Sequence, residues 1–233
     1  MTQSIEKRIE EFAYQQGADV FGIADLKNVS DLDQDYMKYA KHDWMSAVVV
    51  GVRLPLAIVE QITAEEPGKI YSYEYQIVSD QLDRIVYSLF SMMEDEGWIA
   101  LPIPARGGFP PMGASLLALA RAAGIGSLGK NQLITHKRFG SRLRFAAVVT
   151  PEKLSAAEPL NNDLCGECTR CIDACPAKAI NNVSFQGSDL RKNGVVRENC
   201  WNYIKQFLDK PGYGKTICGV CIRECPYSNK RTK

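Results

Sequence analysis

Apolar residues recur at helical spacing from the start of the chain. Ile5, Ile9 and Phe12 share one face, Ser4 stands where an N-cap belongs and Gly17 where a helix stops, so the pattern predicts a helix from Ile5 to about Gln15. A short strand from about Asp19 to Ile23 follows. The run SAVVVGV, Ser46–Val52, is apolar and β-branched, which marks a buried strand. From about Tyr75 to Glu96 a longer helix carries Leu82, Ile85, Val86, Leu89 and Met93 on one stripe, and Gly97 ends it. Trp98–Ile103 reads as the next strand. ARGGFPPMG, Ala105–Gly113, suits neither helix nor strand. Leu116, Leu119, Ala120 and Ala123 mark a helix that runs directly into Gly124. After the glycines, RLRFAAVV (Arg142–Val149) alternates, with Leu143, Phe145, Ala147 and Val149 on one side. The polar, proline-containing stretch TPEKLSAAEPLNND, Thr150–Asp163, is the best domain boundary. The elements predict an α+β fold, with an α/β-type domain over residues 1–155 and a smaller module over 156–233.

Composition narrows the setting. The 233 residues are 45% hydrophobic and 24% charged, as in ordinary globular proteins. The first residues, MTQSIEKRIEEF, hold no uninterrupted apolar core, and no later run approaches the roughly 20 apolar residues that span a bilayer. A cytoplasmic protein without a membrane partner is expected. The net charge of +1 points neither toward nor away from nucleic acid, and no nucleic-acid partner is expected.

The cysteines change the picture. All eight lie beyond residue 164, and crowding of thiols at one end of a chain without an export signal indicates metal rather than disulfides. CGECTRCIDACP, Cys165–Pro176, is the C-x2-C-x2-C-x3-C-P run of a bacterial ferredoxin. CGVCIRECP, Cys218–Pro226, repeats its last three cysteines and the proline but lacks the first. Structural zinc prefers two separated pairs, so three cysteines within seven residues favour iron–sulfur clusters. Cys200 is the candidate for the missing ligand, on a helix whose Cys200, Tyr203, Ile204 and Phe207 face inward. In two-cluster ferredoxins the fourth cysteine of each run serves the other cluster. That rule assigns Cys165, Cys168, Cys171 and Cys225 to cluster I. Cluster II then takes Cys175, Cys200, Cys218 and Cys221, which completes two [4Fe–4S] sites with none of the eight cysteines left over.

The stretch GIGSLGKN, Gly124–Asn131, looks like a nucleotide loop. Its G-x-G-x-x-G would need a strand to enter and a helix to leave, and here a helix enters. A Walker loop would need Ser or Thr where the chain has Asn131. A glycine helix cap followed by a tight turn is the simpler reading. Lys130, Lys137, Arg138, Arg142 and Arg144 follow with no acid among them, so the turn can also lie against an anionic cofactor. His42 and His136, the only histidines, have no partner at ligand spacing and are expected on the surface.

The turn AGIGSLGKNQLI, the basic loop FGSRLR, the strand VVT and the cysteine runs together resemble the corrinoid-dependent iron–sulfur reductases. These are the epoxyqueuosine reductases of tRNA modification and the reductive dehalogenases. The resemblance covers about residues 75–227 and is most specific from Ala123 to Pro226. It implies a nitroreductase-like domain holding cobalamin, with two [4Fe–4S] clusters delivering electrons to the cobalt. Corrinoid contacts are implied for Gly124, Gly126, Gly129, Lys130 and Asn131, with Gly140 and Ser141 nearby. The epoxyqueuosine reductases carry an aspartate as proton donor where this chain has FPPMG, Phe109–Gly113, and they continue into helical repeats where this sequence ends at Lys233. The dehalogenases use a tyrosine, for which Tyr71, Tyr73 and Tyr75 are the candidates.

The expected activity is that of an anaerobic iron–sulfur oxidoreductase. It would take low-potential electrons from a redox protein and pass them to a corrinoid that reduces a small electrophilic substrate. The alternative is an electron-transfer or reductive-activation protein for a partner corrinoid or redox enzyme, docking through Lys230, Arg231 and Lys233. A flavin-using reductase is a third reading, with no residue that speaks for it in particular.

Overall fold

A computed structural model describes residues 3–29, 42–106, 115–160, 162–183, 194–211, 213 and 217–229. The FPPMG segment and the basic C-terminal residues lie outside them.

Helix α1 (Ile5–Gln15) has its predicted bounds: Ser4 Oγ accepts the Lys7 amide at 3.4 Å, and Ile9 and Ala13 are buried. Strands β1 (Val20–Asp25) and β2 (Ser46–Arg53) follow, then a short helix α2 (Leu56–Glu60). Helix α3 (Lys69–Asp95) begins six residues before its predicted start. Its first turns lack a clean apolar stripe, because Tyr71 and Ser72 are buried while Tyr73 and Ile77 are exposed. Local bonds hold that start, with the Ser72 amide donating to Gly68 O at 2.7 Å and the Ser72 hydroxyl donating to the same oxygen at 2.6 Å. Strand β3 covers only Leu101–Ile103, and the Trp98 amide still bonds back to Met93 O at 3.0 Å. Next come α4 (Leu116–Ala122), the two-residue strands β4 (Ser127–Leu128) and β5 (Ile134–Thr135), and β6 (Leu143–Thr150). The cysteine region adds α5 (Arg170–Asp173), α6 (Arg197–Lys205) and α7 (Val220–Glu224).

The chain forms two compact units, neither of them continuous in sequence. The first gathers Met1–Val52, Val78–Ile125 and Arg144–Leu160; the second gathers Arg53–Ile77, Gly126–Leu143 and Asn161–Lys233. This grouping cuts across the linear division at 155/156, since two earlier segments pack with the cysteine region.

In the first unit the sheet order is β1-β2-β6-β3. β1 runs antiparallel to β2, with Gly22 opposite Val49, and β3 runs antiparallel to β6, with Leu101 opposite Val149. Antiparallel pairs of this kind belong to an α+β rather than a parallel α/β architecture. Val48, Val49 and Val50 of β2 and Ala146–Val149 of β6 are fully buried, so β2 and the end of β6 read as continuous apolar runs. The α3 stripe of Val78, Leu82, Ile85, Val86, Leu89 and Met93 is buried too. Helix α4 ends as its glycine suggests: Gly124 has φ +68°, its amide bonds to Arg121 O, and the Ile125 amide bonds to Ala120 O, each at 3.0 Å. That is a Schellman cap, in which the left-handed residue is most easily a glycine. Among the described residues no helix is long and apolar enough to cross a membrane.

Leu82 is fully buried in the middle of the α3 stripe. Leu82→Ala is expected to lower stability by about 2–5 kcal/mol. Anaerobic denaturant unfolding checks this, and a loss below ~1 kcal/mol would show that the stripe is not core.

Candidate metal centre

The second unit is organised around sulfur. After the α4 cap, β4 and β5 form a tight hairpin in which Ser127 faces Thr135 and Leu128 faces Ile134. The Gly129 amide donates to Leu133 O at 2.8 Å, and Gln132 takes the left-handed φ of +58° at the turn. Asn131 is fixed three times: Nδ2 donates to Ser141 Oγ at 3.1 Å and to Cys221 O at 3.5 Å, and Oδ1 accepts the Leu133 amide at 3.1 Å. The hairpin thereby places Lys130 and Asn131 at its tip.

That tip forms one wall of a cavity whose other walls carry Cys165, Cys168, Cys171 and Cys225. Thr135 and Ser141 line it beside the hairpin, and Tyr227 lines it beyond Cys225. These four cysteines are the set that the spacing rule assigns to cluster I. Burial pushes the Cys171 thiol up to about 12, and the neighbouring Cys165, Cys225 and Cys168 push it the same way. Cys165 is raised first by burial, while an N–H···S bond from the Lys130 amide favours its thiolate. Its loop is held by Asp163 Oδ1, which accepts the amides of Cys165 at 2.8 Å and Gly166 at 3.1 Å.

The other four cysteines also act on one another. Burial raises Cys218 to about 11, with Cys200 and Cys175 adding to the effect and the Val220 amide opposing it. Cys221 stands well above its ordinary value, through burial first and then Cys218, Cys171, Cys200 and Cys175. Cys200 is raised by burial and Cys175, while Arg197 pulls it down. Cys175 accepts the Ala179 amide at 3.4 Å. Cys165 and Cys171 in the first set, and Cys200, Cys218 and Cys221 in the second, resist ionisation unless a cation takes the charge, which fits a thiolate-bound iron cluster. Among the described residues no three His, Cys, Asp or Glu converge on a single ion. That does not bear on a cubane, whose four thiolates hold four different iron atoms.

Helix α6 presents its predicted inward face: Ile204 and Phe207 are buried, and the Tyr203 hydroxyl donates to Ala64 O. Helix α7 starts at Gly219, where a Cβ would meet Ile62 Cδ1 and Tyr71 Cδ1, each at 2.8 Å. Tyr71 is therefore a packing residue. Its ring stands edge-on to Tyr75 at 6.0 Å, while Tyr73 is 63% exposed. None of the three tyrosines lines the cavity.

The glycines of the turn serve the protein's own packing. A Cβ on Gly126 would meet Ile134 Cγ2, one on Gly129 would meet Thr135 Oγ1 at 2.6 Å, and one on Gly124 would meet Glu158 O at 3.0 Å. Gly140, at φ +57°, sits 2.5 Å from the Tyr227 carbonyl carbon by the same measure and closer still to Ser228 N. Ser141 is buried, and its amide donates to Ser228 Oγ at 3.0 Å.

The basic run divides. Arg142 is buried and spends its guanidinium on Leu54 O at 2.7 Å and Ser228 O at 3.0 Å. Arg144 donates to Ala105 O at 2.9 Å, whereas Lys137 and Arg138 are exposed. Lys130 is only 4% exposed. His136 corrects the expectation of a surface site. It is half-buried, stacks on Phe139 at 5.2 Å and accepts the Arg138 and Phe139 amides through Nδ1. Burial, then Arg138, holds its pKa below the usual histidine range. Two-residue strands are too short to show a period, so the apolar pattern predicts no hairpin here.

Residues 164–228 match the family of 4Fe-4S double cluster binding domains. An epoxyqueuosine reductase from Lactococcus garvieae is 33% identical over 118 residues, 48% of this chain and 31% of that protein. One from Prochlorococcus marinus is 25% identical across 99% of this chain and 81% of its own length. The tetrachloroethene reductive dehalogenase of Dehalobacter restrictus is 25% identical across 93% of this chain and 38% of its own. This chain thus spans about a third of the length of the first and third of these relatives. Among solved structures, an epoxyqueuosine reductase bound to an epoxyqueuosine-modified tRNA stem loop superposes with a TM-score of 0.64 at 20% identity, over 96% of this chain and 65% of that one. A catabolic reductive dehalogenase in complex with 3-bromo-4-hydroxybenzoic acid gives 0.74 at 17% identity, over 95% and 31%.

The chain therefore joins a 4Fe-4S double cluster binding domain to a mixed α/β fold shared with these solved structures. In sequence and in fold the chain is similar to epoxyqueuosine reductases and reductive dehalogenases. The expectation that nucleic acid is no partner finds no support, since one solved relative holds a tRNA stem loop.

Gly140→Ala forces the backbone at Tyr227 and Ser228 to move, and that segment follows Cys225 directly. The variant is expected to lose more than ~2 kcal/mol of stability and to retain less iron after reconstitution. Iron and unfolding assays check it; wild-type values in both would show that the contact is loose.

Proposed function

We propose that the chain carries low-potential electrons through two [4Fe–4S] clusters to a corrinoid, which reduces a small electrophilic substrate. Cluster I is held by Cys165, Cys168, Cys171 and Cys225, and cluster II by Cys175, Cys200, Cys218 and Cys221. The corrinoid belongs to a nitroreductase-like fold over residues 1–155, with the glycine turn along it. The observation that carries this reading is the position of the hairpin tip, because Lys130 and Asn131 stand on the wall of the cavity that the first quartet lines. A turn that touches a cluster on one side is suitably placed to touch its electron acceptor on another.

One orphan group supports the fit. Ser127, in the same turn, is 3% exposed and its hydroxyl has no hydrogen-bond partner among the described residues. A buried hydroxyl without a partner costs roughly 1–3 kcal/mol, and a polar group of a bound cofactor would relieve it. When bound, the corrinoid supplies a cobalt centre able to transfer electrons to an electrophile. The chain's own residues do the rest. The Lys130 amide and the Ala179 amide hold two of the thiolates by N–H···S bonds. Asn131, tied to Ser141 and to Cys221 O, keeps the hairpin tip in register with both cysteine runs. Tyr71, Tyr73 and Tyr75 remain the candidate phenols for proton delivery. Of these Tyr75 is half-buried, neither sealed like Tyr71 nor turned to water like Tyr73. A redox protein is the expected donor, and the cytoplasm the expected setting.

Two measurements test the reading. Cys200→Ser should cut reconstituted iron to about half, leaving one cluster's spectrum, because Cys200 completes only the second quartet. Undiminished iron would remove Cys200 from the ligand set. Anaerobic titration of the reconstituted protein with cob(II)alamin should abolish the lower-ligand nitrogen splitting in its paramagnetic resonance spectrum, as a base-off site requires. An unchanged spectrum would overturn the corrinoid half of the proposal and leave an electron carrier for a separate acceptor.

A further inference from the structure

Helix α6 has two faces with different duties. Its inner face holds Ile204 in the protein, and Phe207 is buried just beyond its end. Its outer face carries Arg197, Trp201 and Lys205, spaced at i, i+4 and i+8, and all three are exposed. Trp201 is 46% exposed, one of few large apolar side chains so placed among the described residues. It follows Cys200 directly in the chain, and Arg197 lies near enough to that thiol to act on it electrostatically. A second basic residue reaches the same end of the helix. The Val196 amide bonds to Ala179 O at 2.7 Å, which brings the exposed Lys178 beside the start of α6. Glu198 is the acid of the first helical turn. The described outer surface around Cys200 is therefore an aromatic residue between cations, with Glu198 the acid beside it.

The geometry points to this stripe, Arg197–Trp201–Lys205 with Lys178, as the docking surface for a protein one-electron donor whose redox centre is rimmed by acidic side chains, so that electrons enter at the cluster bound by Cys200. The proposal rests on the two-cluster reading above. Its commitment to an acidic partner comes from the charges of the stripe, and its commitment to a redox partner comes from the cluster ligand on the same helix. The exposed indole supplies the apolar, low-entropy contact that interface centres favour, and the flanking cations steer approach and set orientation. The transfer is simple to balance: the donor loses one electron, the oxidised cluster gains it, and no bond or proton moves. The first quartet is unsuited to this role, because Cys225 is buried and the hairpin tip forms a wall of its cavity.

The test uses the full, cluster-reconstituted chain and two reductants, a reduced acidic ferredoxin and dithionite. Stopped-flow bleaching by the ferredoxin at low salt should be about 10-fold slower in R197Q/W201A/K205Q, and the fall in rate with added salt should flatten. Dithionite, too small to need a docking surface, should reduce wild type and variant alike. Equal ferredoxin rates in variant and wild type would overturn the proposal. Should the triple variant fail to retain its clusters, Lys178→Glu tests the same surface from a separate loop, with the same slowing expected and an unchanged rate again counting against it. The outcomes also separate this inference from the reading beneath it. Clusters that dithionite cannot reduce would defeat the electron-wire reading, whereas clusters that it reduces, with ferredoxin indifferent to the stripe, would defeat the docking surface alone.

Discussion

Thiolates gathered at one place repel each other and lose their water, and the second compact unit is arranged around that difficulty. Burial and mutual charge push Cys171 to about 12 and Cys218 to about 11, so the quartets cannot be assembled as bare thiolates near neutrality. Iron removes the difficulty by taking the charge, and the backbone helps by aiming amides of Lys130, Val220 and Ala179 at three of the sulfurs. The same demand explains the short helices. Cys171 lies in α5 with Cys175 just after it, and Cys221 lies in α7 with Cys225 just after it, so under the proposed assignment each helix would send one cysteine to each quartet. α5 and α7 pack directly on each other as a result. A chain crossed in this way has little freedom to shift one set of cysteines without the other, and Cys171 already acts on Cys221 across the two sets.

The glycine turn is shaped by the same centre. Its first glycine ends α4 in the left-handed conformation, and the rest leave room for a hairpin whose strands are two residues long. None of this needs a nucleotide. The match to a phosphate loop arises because both structures require backbone to pass close to something that a Cβ would obstruct. Here the obstructing atoms are Thr135 Oγ1, Ile134 Cγ2 and Glu158 O. What distinguishes the turn from a plain cap is its end, where Lys130 and Asn131 meet the cysteines.

What could be read from residues alone follows the range of the interactions involved. Helix α1 and strand β2 were legible because cap, period and stop all lie within a dozen residues, and the cysteine sets because ligand spacing is a local constraint on iron. The early turns of α3 were not, since Tyr71 is buried by contacts with Gly219, nearly 150 positions away. The half-buried site of His136 and the structural role of Arg142 were hidden for the same reason: their partners are backbone groups or a ring that no local pattern announces, including Ser228 O in the case of Arg142. The discontinuous units are the largest case, because segments 53–77 and 126–143 join the cysteine region only in three dimensions.

The two proposed quartets also differ in a way that would give an electron wire a direction. Exposure does not separate them strongly, for seven of the eight cysteines are half-buried and only Cys225 is fully so. Charge does. Lys130 is buried in the wall beside the first quartet, where little water screens it. Arg197, a cation that acts on Cys200, is exposed to solvent that weakens its field. A buried cation stabilises the more negative, reduced state of an adjacent cluster, and net charge is one of the factors that set cluster potentials. On the two-cluster reading proposed above, an electron arriving at the second quartet would be drawn toward the first, the one beside the glycine turn.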